Sequence, residues 1–316
     1  MRRIHLIFAL LFTCMATLAA QTAAEWKTLK SDINLFLAND LGRNGYYDQR
    51  KIADLMGIMA ETIGPEAVIA IGDVHHFDGV ASVSDPLWSS NYEQIYTHPE
   101  LMFPWMAVLG NHEYRGNTQA VLDYSQVSRR WRMPERYYTH VFSDEDDGVS
   151  LRLVFVDTTP LIESYHTDSR YPDVAFQDVE RQLAWMDSVL TQASEDWVVV
   201  VGHHPVYAET GKDVAEQEAL QRKLMPIMQR SGKVKAYVCG HIHNFQHIRA
   251  ADDDIVYVVN SAGALSRKVK PITDRPYLST LFASDATGFS VLSASHDRLV
   301  LSMIDAEGRV IHSIDL

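Results

Sequence analysis

The sequence predicts an α/β fold, because apolar runs of strand length alternate along the chain with segments of helical periodicity. The runs 33–38 and 67–71 enclose a segment, 48–62, that ends at Gly64-Pro65. The apolar residues of this segment recur at helical spacing and are Ile52, Leu55, Met56 and Met59. A strand, a helix and a second strand in this order form the basic unit of a parallel sheet.

The same alternation continues to the C-terminus and predicts the remaining elements. Further strands are predicted at 105–109, 149–156, 197–201, 234–239 and 255–259, with two strand pairs near the end of the chain. Further helices are predicted at 173–191 and 214–231. The first of these has an apolar face formed by Phe176, Val179, Leu183, Met186 and Leu190. Loop and helix are predicted for 80–104 and 114–138. Because no internal repeat or low-complexity linker interrupts the pattern, residues 21–316 are predicted to form a single domain.

The composition favours a folded, acidic protein that does not bind nucleic acids. Of the 316 residues, 47% are hydrophobic and 22% are charged, which is enough apolar material for a sizeable core. The formal net charge is −13 at pH 7, so the chain is expected to avoid nucleic-acid backbones and anionic membrane surfaces. Its 14 histidines are many for this length and direct attention to metal or acid–base sites.

The N-terminus has the pattern of an export signal. Arg2 and Arg3 precede the apolar run 4–18, and two alanines follow it. A membrane anchor is the competing interpretation, but the run is shorter than the roughly 20 residues that span a bilayer. We therefore predict a signal peptide at 1–20, an exported protein that is periplasmic or secreted, and no stable membrane anchor. Cys239 is then the remaining cysteine, so no intramolecular disulfide can form.

Polar side chains suited to metal binding follow five of the apolar runs. They are Asp40, Asp73 with His76, Asn111 with His112, His203, and His241 with His243. Ligands gather at the carboxyl ends of strands in open α/β sheets, so these residues are expected to converge. A structural zinc site would use four ligands, mostly cysteine, whereas this set is larger and rich in oxygen. It suits two adjacent cations of the kind that cleave phosphate esters.

Each of these loops taken alone has a simpler explanation. Gly-Asp and Gly-Asn are common turn dipeptides, and a single histidine can be a satisfied polar side chain. Independent turns would not all supply metal-ligand types in this order. The set as a whole therefore favours a dinuclear metal site.

These motifs resemble those of the calcineurin-like metallophosphoesterases. The matching motifs are Asp40-x-Gly42, Gly72-Asp73-x-x-His76, Gly110-Asn111-His112-Glu113, Gly202-His203 and Gly240-His241-x-His243. Within that family the chain is most similar to the purple, or tartrate-resistant, acid phosphatases, over the stretches 110–117, 125–131, 201–206 and 239–246. The resemblance implies an α/β (α+β) fold of metallophosphoesterase type, a four-layer sandwich in which two mixed β-sheets are flanked by helices.

The resemblance also implies a role for each residue of the motifs. The first metal would be held by Asp40, Asp73, His76 and His243. Asp73 would bridge to the second metal, whose other ligands would be Asn111, His203 and His241. His112 would contact the phosphate and protonate the leaving group, and Glu113 would orient His112.

The activity implied by the resemblance is hydrolysis of phosphate monoesters by a hydroxide that the two metals hold. The substrate would be a phosphorylated small molecule or a phosphoprotein, and the cofactors two divalent ions, Fe, Zn or Mn. A phosphodiesterase, nucleotidase or pyrophosphatase is the alternative, because the outer loops choose among substrates of a shared site. Those loops are predicted at 80–100, 114–140, 159–175 and 206–215. A catalytically inactive binding protein is a remote alternative, which the complete ligand set disfavours.

Two regions depart from the pattern of the purple acid phosphatases. The colour of those enzymes comes from a tyrosine phenolate on ferric iron, three residues after the bridging aspartate, where this chain has His76. Imidazole is neutral and is expected to stabilise a trivalent ion less than phenolate does. The mammalian-type enzymes also carry a substrate-facing histidine after the position of His203, and the loop 208–212 of this chain has none, so proton donation would rest more on His112. Tyr114 stands where those enzymes have a further histidine, which leaves the substrate preference open.

We predict that the purified, metal-loaded protein lacks a purple charge-transfer band and holds a divalent metal pair. A less acidic metal also leaves its bound water with a higher pKa, so the pH optimum is expected nearer neutrality than in the purple enzymes. An absorption spectrum of the iron-loaded protein tests the first expectation. Strong absorption in the visible charge-transfer region would contradict it.

Overall fold

The computed structural model describes residues 24–144, 146, 148–211, 214–251, 253–271 and 275–316. The predicted signal peptide at 1–20 lies outside these residues. Within them the strands are β1 Ile33–Ala38, β2 Ala67–Ile71, β3 Trp105–Val108, β4 Trp131–Arg132, β5 Tyr138–Asp144, β6 Val149–Val156, β7 Trp197–Gly202, β8 Val234–Cys239, β9 Phe245–Ala250, β10 Val256–Val259, β11 Leu278–Ser284, β12 Gly288–Ala294, β13 Leu299–Asp305 and β14 Val310–Asp315.

The described α-helices are α1 Gln49–Ile63, α2 Pro86–Trp88, α3 Thr118–Asp123, α4 Glu163–His166, α5 Val179–Gln192 and α6 Val214–Ser231. Helix α1 connects the parallel strands β1 and β2, whereas α5 and α6 pack against each other and α6 contacts β8. Among the described residues, none of these helices is both long and apolar enough to cross a membrane.

The strands form two seven-stranded sheets, both of them mixed. The first has the order β14-β13-β12-β1-β2-β3-β4, in which β1 to β4 run parallel and β12 to β14 form an antiparallel meander. The second has the order β11-β9-β10-β8-β7-β6-β5, with a parallel centre and antiparallel strands toward its edges. The predicted sandwich of two mixed sheets flanked by helices is confirmed.

The loops predicted to carry the site leave strands that lie side by side. In the first sheet β1, β2 and β3 are parallel neighbours, and the loops that begin at Asn39, Gly72 and Leu109 leave the same edge. In the second sheet β7 and β8 are parallel neighbours, and the loops after Gly202 and Cys239 leave together. Strands β1 and β3 contact β5 and β6 of the other sheet. The topology therefore assembles residues that are far apart in sequence.

The helix predicted over 173–191 begins later, at Val179. The backbone of Asp178 is extended, and its carboxylate accepts a hydrogen bond from the amide of Arg181 at 3.0 Å. This cap fixes the first turn of α5. Phe176, predicted to lie on the apolar face of the helix, is in a 3-10 turn before the cap and is 83% exposed. Helical periodicity in the sequence carries no information about such a side-chain cap, so it predicts a helix that begins too early.

Three further features differ from the prediction. The segment 114–138 contains the one predicted helix, α3, but also two 3-10 turns, the strand β4 and the start of β5, which are not predicted. Strand β9 is not predicted, because its polar residues Gln246 and His247 hide the apolar pattern. Both are buried, since Gln246 bonds to the backbone of Glu209 and His247 to His312. Strands β11 and β12 do not form a hairpin, because β11 pairs with β9 and β12 with β1, in different sheets.

The segment 80–104 builds the core beside β3 and β4 instead of an outer wall. Trp88 stacks on Tyr124 with ring centroids 3.5 Å apart and meets Trp131 edge-on at 5.2 Å. Tyr92 contacts Trp131 in the same way at 5.3 Å. Arg130 joins this cluster through a salt bridge of 2.6 Å to Glu93. Such edge-to-face contacts hold the segment against the sheet.

We predict that Asp178→Ala lowers the free energy of unfolding by about 1 kcal/mol, because it removes the cap of α5. Asp178→Asn keeps the acceptor oxygen and is the matched control, with little change expected. Urea unfolding of the three proteins measures the difference. Equal unfolding midpoints for Asp178→Ala and the unsubstituted protein would show that the cap contributes nothing.

Candidate metal centre

The backbone takes an unusual conformation at four of the predicted metal ligands. The φ angles of Asp40, Asp73, His241 and His243 are 53°, 53°, 69° and 62°, in the left-handed region that side chains rarely adopt. Such strain is retained at functional sites, where the surrounding structure enforces it. Here it turns each loop sharply at the end of its strand, so that the side chains point back over the sheet edge.

A glycine makes the close approach between two of these loops possible. A Cβ atom on Gly110 would lie 2.2 Å from the Oδ1 atom of Asp73 and 2.6 Å from its backbone nitrogen. Any larger residue at this position would push Asp73 away from the centre. Gly110 is therefore needed for the close packing of the two loops, in addition to its place in the turn after β3.

The first group of ligand atoms comes from Asp40, His76 and His243. Their ligand atoms all lie within 4.8 Å of one another. The Nε2 atom of His243 is 3.1 Å from the Oδ1 atom of Asp40. The Nε2 atom of His76 is 3.5 Å from the Oδ2 atom of Asp73, which places Asp73 beside this group as well.

The second group lies on the other side of Asp73. The Nε2 atom of His203 is 3.2 Å from the Oδ2 atom of Asp73. The Nδ1 atom of His241 is 3.1 Å from the Oδ1 atom of Asn111. Asp73 thus faces both groups, and the structure brings all seven predicted metal ligands together.

Backbone carbonyls fix the orientation of two imidazoles. His203 donates from Nδ1 to the carbonyl oxygen of Ile71 at 2.8 Å, and His243 donates from Nδ1 to that of Leu265 at 2.7 Å. In each ring the remaining nitrogen, Nε2, faces the carboxylates. A histidine whose outer nitrogen is engaged in this way presents the other nitrogen as a metal ligand.

Several inward-facing atoms of the centre are buried yet make no hydrogen bond within the part of the chain that the structure describes. They are Asp40 Oδ1, His76 Nδ1 and Nε2, and His203 Nε2. A buried polar atom without a partner is costly. Oxygen and imidazole nitrogen atoms that converge in this way fit two metal ions.

Both carboxylates are held in their ionised form. Burial opposes ionisation of Asp40, but the neighbouring His243 more than offsets it and lowers the pKa of Asp40 below its usual range. Burial opposes ionisation of Asp73 as well, and His203 and His112 together lower the pKa of Asp73 well below its usual range. Two anionic groups at the centre provide the charge that cations require.

The imidazoles of the two groups differ in their electrostatic surroundings. Burial lowers the pKa of His76 well below its usual value, so this ring is neutral, as a metal ligand must be. Burial acts in the same direction on His203, but the carboxylate of Asp73 outweighs it and raises the pKa of His203. His203 therefore lies in the field of an anion, where a cation can take the place of a proton.

His112 lies at the open side of the centre. Its Nδ1 atom donates to the carbonyl oxygen of Phe77 at 2.6 Å, and its backbone amide donates to Asp73 at 2.9 Å. Its Nε2 atom is 3.8 Å from the Oδ2 atom of Asp73, and the side chain is 13% exposed. The ring therefore presents Nε2 toward both the centre and the cavity in front of it.

Among the hydrogen bonds of the described residues, those of the Glu113 side chain go to backbone amides and none goes to the His112 ring, so the predicted influence of Glu113 on His112 stays a prediction. Its carboxylate is buried and accepts hydrogen bonds from the backbone amides of Asp73 and Gly110 at 2.8 Å and of His75 at 3.0 Å. These bonds tie the loop after β2 to the loop after β3. Because the loop after β3 turns through a 3-10 helix at Glu113, the side chain points inward, away from the cavity.

Tyr114 also points inward and does not face a substrate. It is fully buried, and its hydroxyl donates to the Oδ2 atom of Asp157 at 2.5 Å. Burial raises the pKa of Asp157 to about 7, although this hydrogen bond and Arg136 oppose the increase. The pair connects the loop after β3 with the end of β6.

A cavity of about 380 Å³ opens in front of the centre, between Asp73, Asn111 and the two histidines of the β8 loop. Of the predicted wall segments, 159–175 contributes most of the lining. The segment 114–140 contributes Arg115, and among the described residues the segment 80–100 contributes none, because its large aromatic side chains pack in the core.

Two residues of the cavity were missed by the sequence reasoning. Glu216 lies in the first turn of α6, and its Oε2 atom is 3.3 Å from the Nε2 atom of His241. Arg267 belongs to the loop after β10, and its backbone amide donates to the carbonyl oxygen of His243 at 2.6 Å. Neither residue follows an apolar run or belongs to a motif, so the sequence carries no signal for them.

The chain resembles known proteins over most of its length. The profile of the calcineurin-like phosphoesterases matches residues 31–245. Purple acid phosphatase 4 of Arabidopsis thaliana is 28% identical over 95% of this chain and 90% of its own length. Tartrate-resistant acid phosphatase type 5 of Oryctolagus cuniculus is 30% identical over 84% of this chain and 83% of its own length. Among solved structures, GAP50, the anchor in the inner membrane complex of Plasmodium, has a TM-score of 0.75 at 22% identity and covers 90% of this chain and 88% of its own. The likeness to that structure shows a shared fold.

We predict that the stabilising contribution of Asp157 is lost as the pH rises from about 4 to about 7. Its pKa is raised on folding, so the folded state holds a proton that the unfolded state has already released in this range. Asp157→Asn removes that contribution. Urea unfolding at pH 5 and pH 7.5 gives the change in the free energy of unfolding between the two pH values, and this change should be more favourable to pH 7.5 in the variant than in the unsubstituted protein.

The exposed Asp54 of α1 provides the matched control for this experiment, as Asp54→Asn. This control should show the same pH dependence as the unsubstituted protein. A change between the two pH values that is the same in Asp157→Asn as in the control would mean that Asp157 does not contribute.

Proposed function

The chain belongs to the calcineurin-like phosphoesterase family, and from this membership and the geometry of the centre we propose that it is a phosphatase that hydrolyses phosphate monoesters with two metal ions. The single observation that carries the proposal is the convergence of buried, unpartnered ligand atoms on either side of the shared Asp73. The acid phosphatases that the chain resembles over most of its length support the same activity.

Each ion would be held by its own group of residues, and Asp73 would belong to both groups. Asp40, Asp73, His76 and His243 would hold the first, and Asp73, Asn111, His203 and His241 would hold the second. This assignment is supported by the short distances between the ligand atoms within each group, by the ionised carboxylates and by the neutral His76. When bound, such a pair of ions screens the charge of a phosphate and activates the water that attacks it.

The residues of the chain supply binding, orientation and a proton. His112 is the proposed proton donor to the leaving alkoxide, because its Nε2 atom faces the cavity beside Asp73. The carbonyl oxygen of Phe77 holds the ring by accepting from Nδ1. Glu113 acts as a positioning residue, since its three backbone hydrogen bonds keep the loops that carry Asp73 and Asn111 in place.

The metal pair is proposed to be divalent, with Fe, Zn or Mn as candidates. The support is His76, a neutral ligand where the purple enzymes have a phenolate. The substrate is proposed to be a phosphorylated small molecule, because the cavity of about 380 Å³ is of the size that small ligands occupy.

Export and a single catalytic domain over 21–316 are also proposed. The support for export is the pattern of Arg2, Arg3 and the apolar run 4–18. The support for one domain is that ligands from both sheets meet at one centre. Determining the N-terminal residue of the exported protein would test cleavage near residue 20.

We predict that metal-stripped protein recovers hydrolysis of 4-nitrophenyl phosphate when reloaded with Mn, Zn or Fe, and that it cleaves bis(4-nitrophenyl) phosphate more slowly. Asp73→Asn should reduce the turnover of the monoester by about a hundredfold or more, because this carboxylate serves both metals. Release of nitrophenol measures both reactions, and the metal content of each protein is determined in parallel.

Asp78→Asn is the matched control, because Asp78 is an exposed carboxylate of the same loop outside the centre. This control should retain activity. Faster turnover of the diester would favour a phosphodiesterase. If neither ester is cleaved although metal is bound, the protein is a non-catalytic relative that has kept the fold.

A further inference from the structure

The cavity in front of the centre is rich in arginine, although the protein as a whole is acidic. The chain carries a formal net charge of −13, yet Arg115, Arg170 and Arg267 line this cavity beside the carboxylates Asp73, Asp168 and Glu216. Asp73 belongs to the metal centre, and Glu216 contacts His241. Arg170 is engaged in an ion pair, because its guanidinium contacts both carboxylate oxygens of Asp168. Arg115 and Arg267, in contrast, form no ion pair among the described residues.

Arg115 is fixed by groups other than carboxylates. Its Nε and Nη2 atoms donate to the hydroxyl of Tyr171 at 3.2 and 2.9 Å, and its Nη1 atom donates to the carbonyl oxygen of Phe77 at 3.3 Å and lies 3.3 Å from the Nδ1 atom of His112. The guanidinium also lies over the Tyr171 ring. Among the described residues no carboxylate forms an ion pair with it. These contacts position a cation in the cavity without a carboxylate partner.

Arg267 lies on the opposite, β8-loop side of the same cavity. Its backbone is anchored to His243, and its exposed side chain forms no ion pair within the described part of the chain. It also borders a neighbouring cavity of about 300 Å³, together with Lys268 and Lys270. Lys268 forms an ion pair with Asp285, so its charge is already balanced.

We infer that Arg115 and Arg267 form a second anion-binding subsite, and that the preferred substrates are small phosphate monoesters bearing a second phosphate group. The inference rests on the proposed function, which accounts for the phosphate at the metals. A guanidinium binds a phosphate through parallel hydrogen bonds and is weakly hydrated, so it suits this recognition better than a lysine. Two arginines that form no ion pair among the described residues, beside a reaction centre that accepts one phosphate, provide the charge for another.

The test compares propane-1,3-diol monophosphate with propane-1,3-diol bisphosphate, using the holoenzyme with the metal that gives activity. These substrates differ only in the second phosphate. Phosphate release gives kcat/KM for each, and the ratio of the two values is the readout. The symmetric bisphosphate offers two cleavable ends, so statistics alone give a ratio of about two. We expect a ratio of roughly twenty or more, since each charge-assisted hydrogen bond contributes roughly a tenfold gain.

Arg115→Gln and Arg267→Gln should each lower this ratio toward about two. Because Arg115 also contacts His112, Arg115→Gln is expected to slow the turnover of both substrates, whereas Arg267→Gln should have a smaller effect on the monophosphate. Lys268→Gln is the matched control, because it removes a cation one residue from Arg267 that is already paired with Asp285. This control should keep the ratio of the unsubstituted enzyme. Thermal unfolding of each variant checks that the fold is retained, and Arg267 is exposed, so its replacement removes no core packing.

Three outcomes would overturn the inference. A ratio of about two in the unsubstituted enzyme would mean that no second subsite exists, while turnover of the monophosphate would leave the proposed function intact. Equal losses for both substrates in the two variants would mean that the arginines bind the phosphate that is removed. No turnover of either substrate with metal bound would remove the proposed function and the subsite with it.

Discussion

The carboxylate of Asp73 is the feature on which the rest of the centre depends, because it faces imidazoles from three loops at once. His76, His112 and His203 approach it at 3.5, 3.8 and 3.2 Å. A buried anion is costly unless charges and donors surround it, so these loops must keep their positions for the fold to tolerate it. The glycine at position 110 and the left-handed backbone of Asp73 itself provide the room.

Most of the architecture and the ligand set follow from two patterns in the sequence. Apolar runs mark the central strands, and polar clusters at the ends of those runs mark the site. The patterns succeed because parallel strands bring their carboxyl ends to one edge whatever the connections between them contain. Periodicity fails to predict an element where a local side-chain cap or a distant partner determines the structure. The start of α5 depends on the Asp178 cap. Strand β9 depends on hydrogen bonds that its buried residues Gln246 and His247 form with other segments.

The side chains that shape the cavity were harder to predict than the ligands. Glu216 reaches His241 because α6 packs back toward the centre, and Arg267 is placed by one backbone hydrogen bond to His243. Both depend on contacts between segments without a motif. Glu113 illustrates the opposite case, in which a motif predicts the residue but not the direction of its side chain. The turn after Asn111 decides that direction, and spacing along the chain does not encode it.

The pairing of ligands across the molecule has a consequence for how its two halves hold together. Asp40, Asp73 and Asn111 follow strands of one sheet, whereas their partners His243, His203 and His241 follow strands of the other. Each ion would thus fasten one layer of the sandwich to its counterpart, much as a cross-link does. Because the buried Cys239 is the sole cysteine of the described chain, no disulfide joins the layers there, and the stability of the folded protein would depend on the supply of metal in its surroundings.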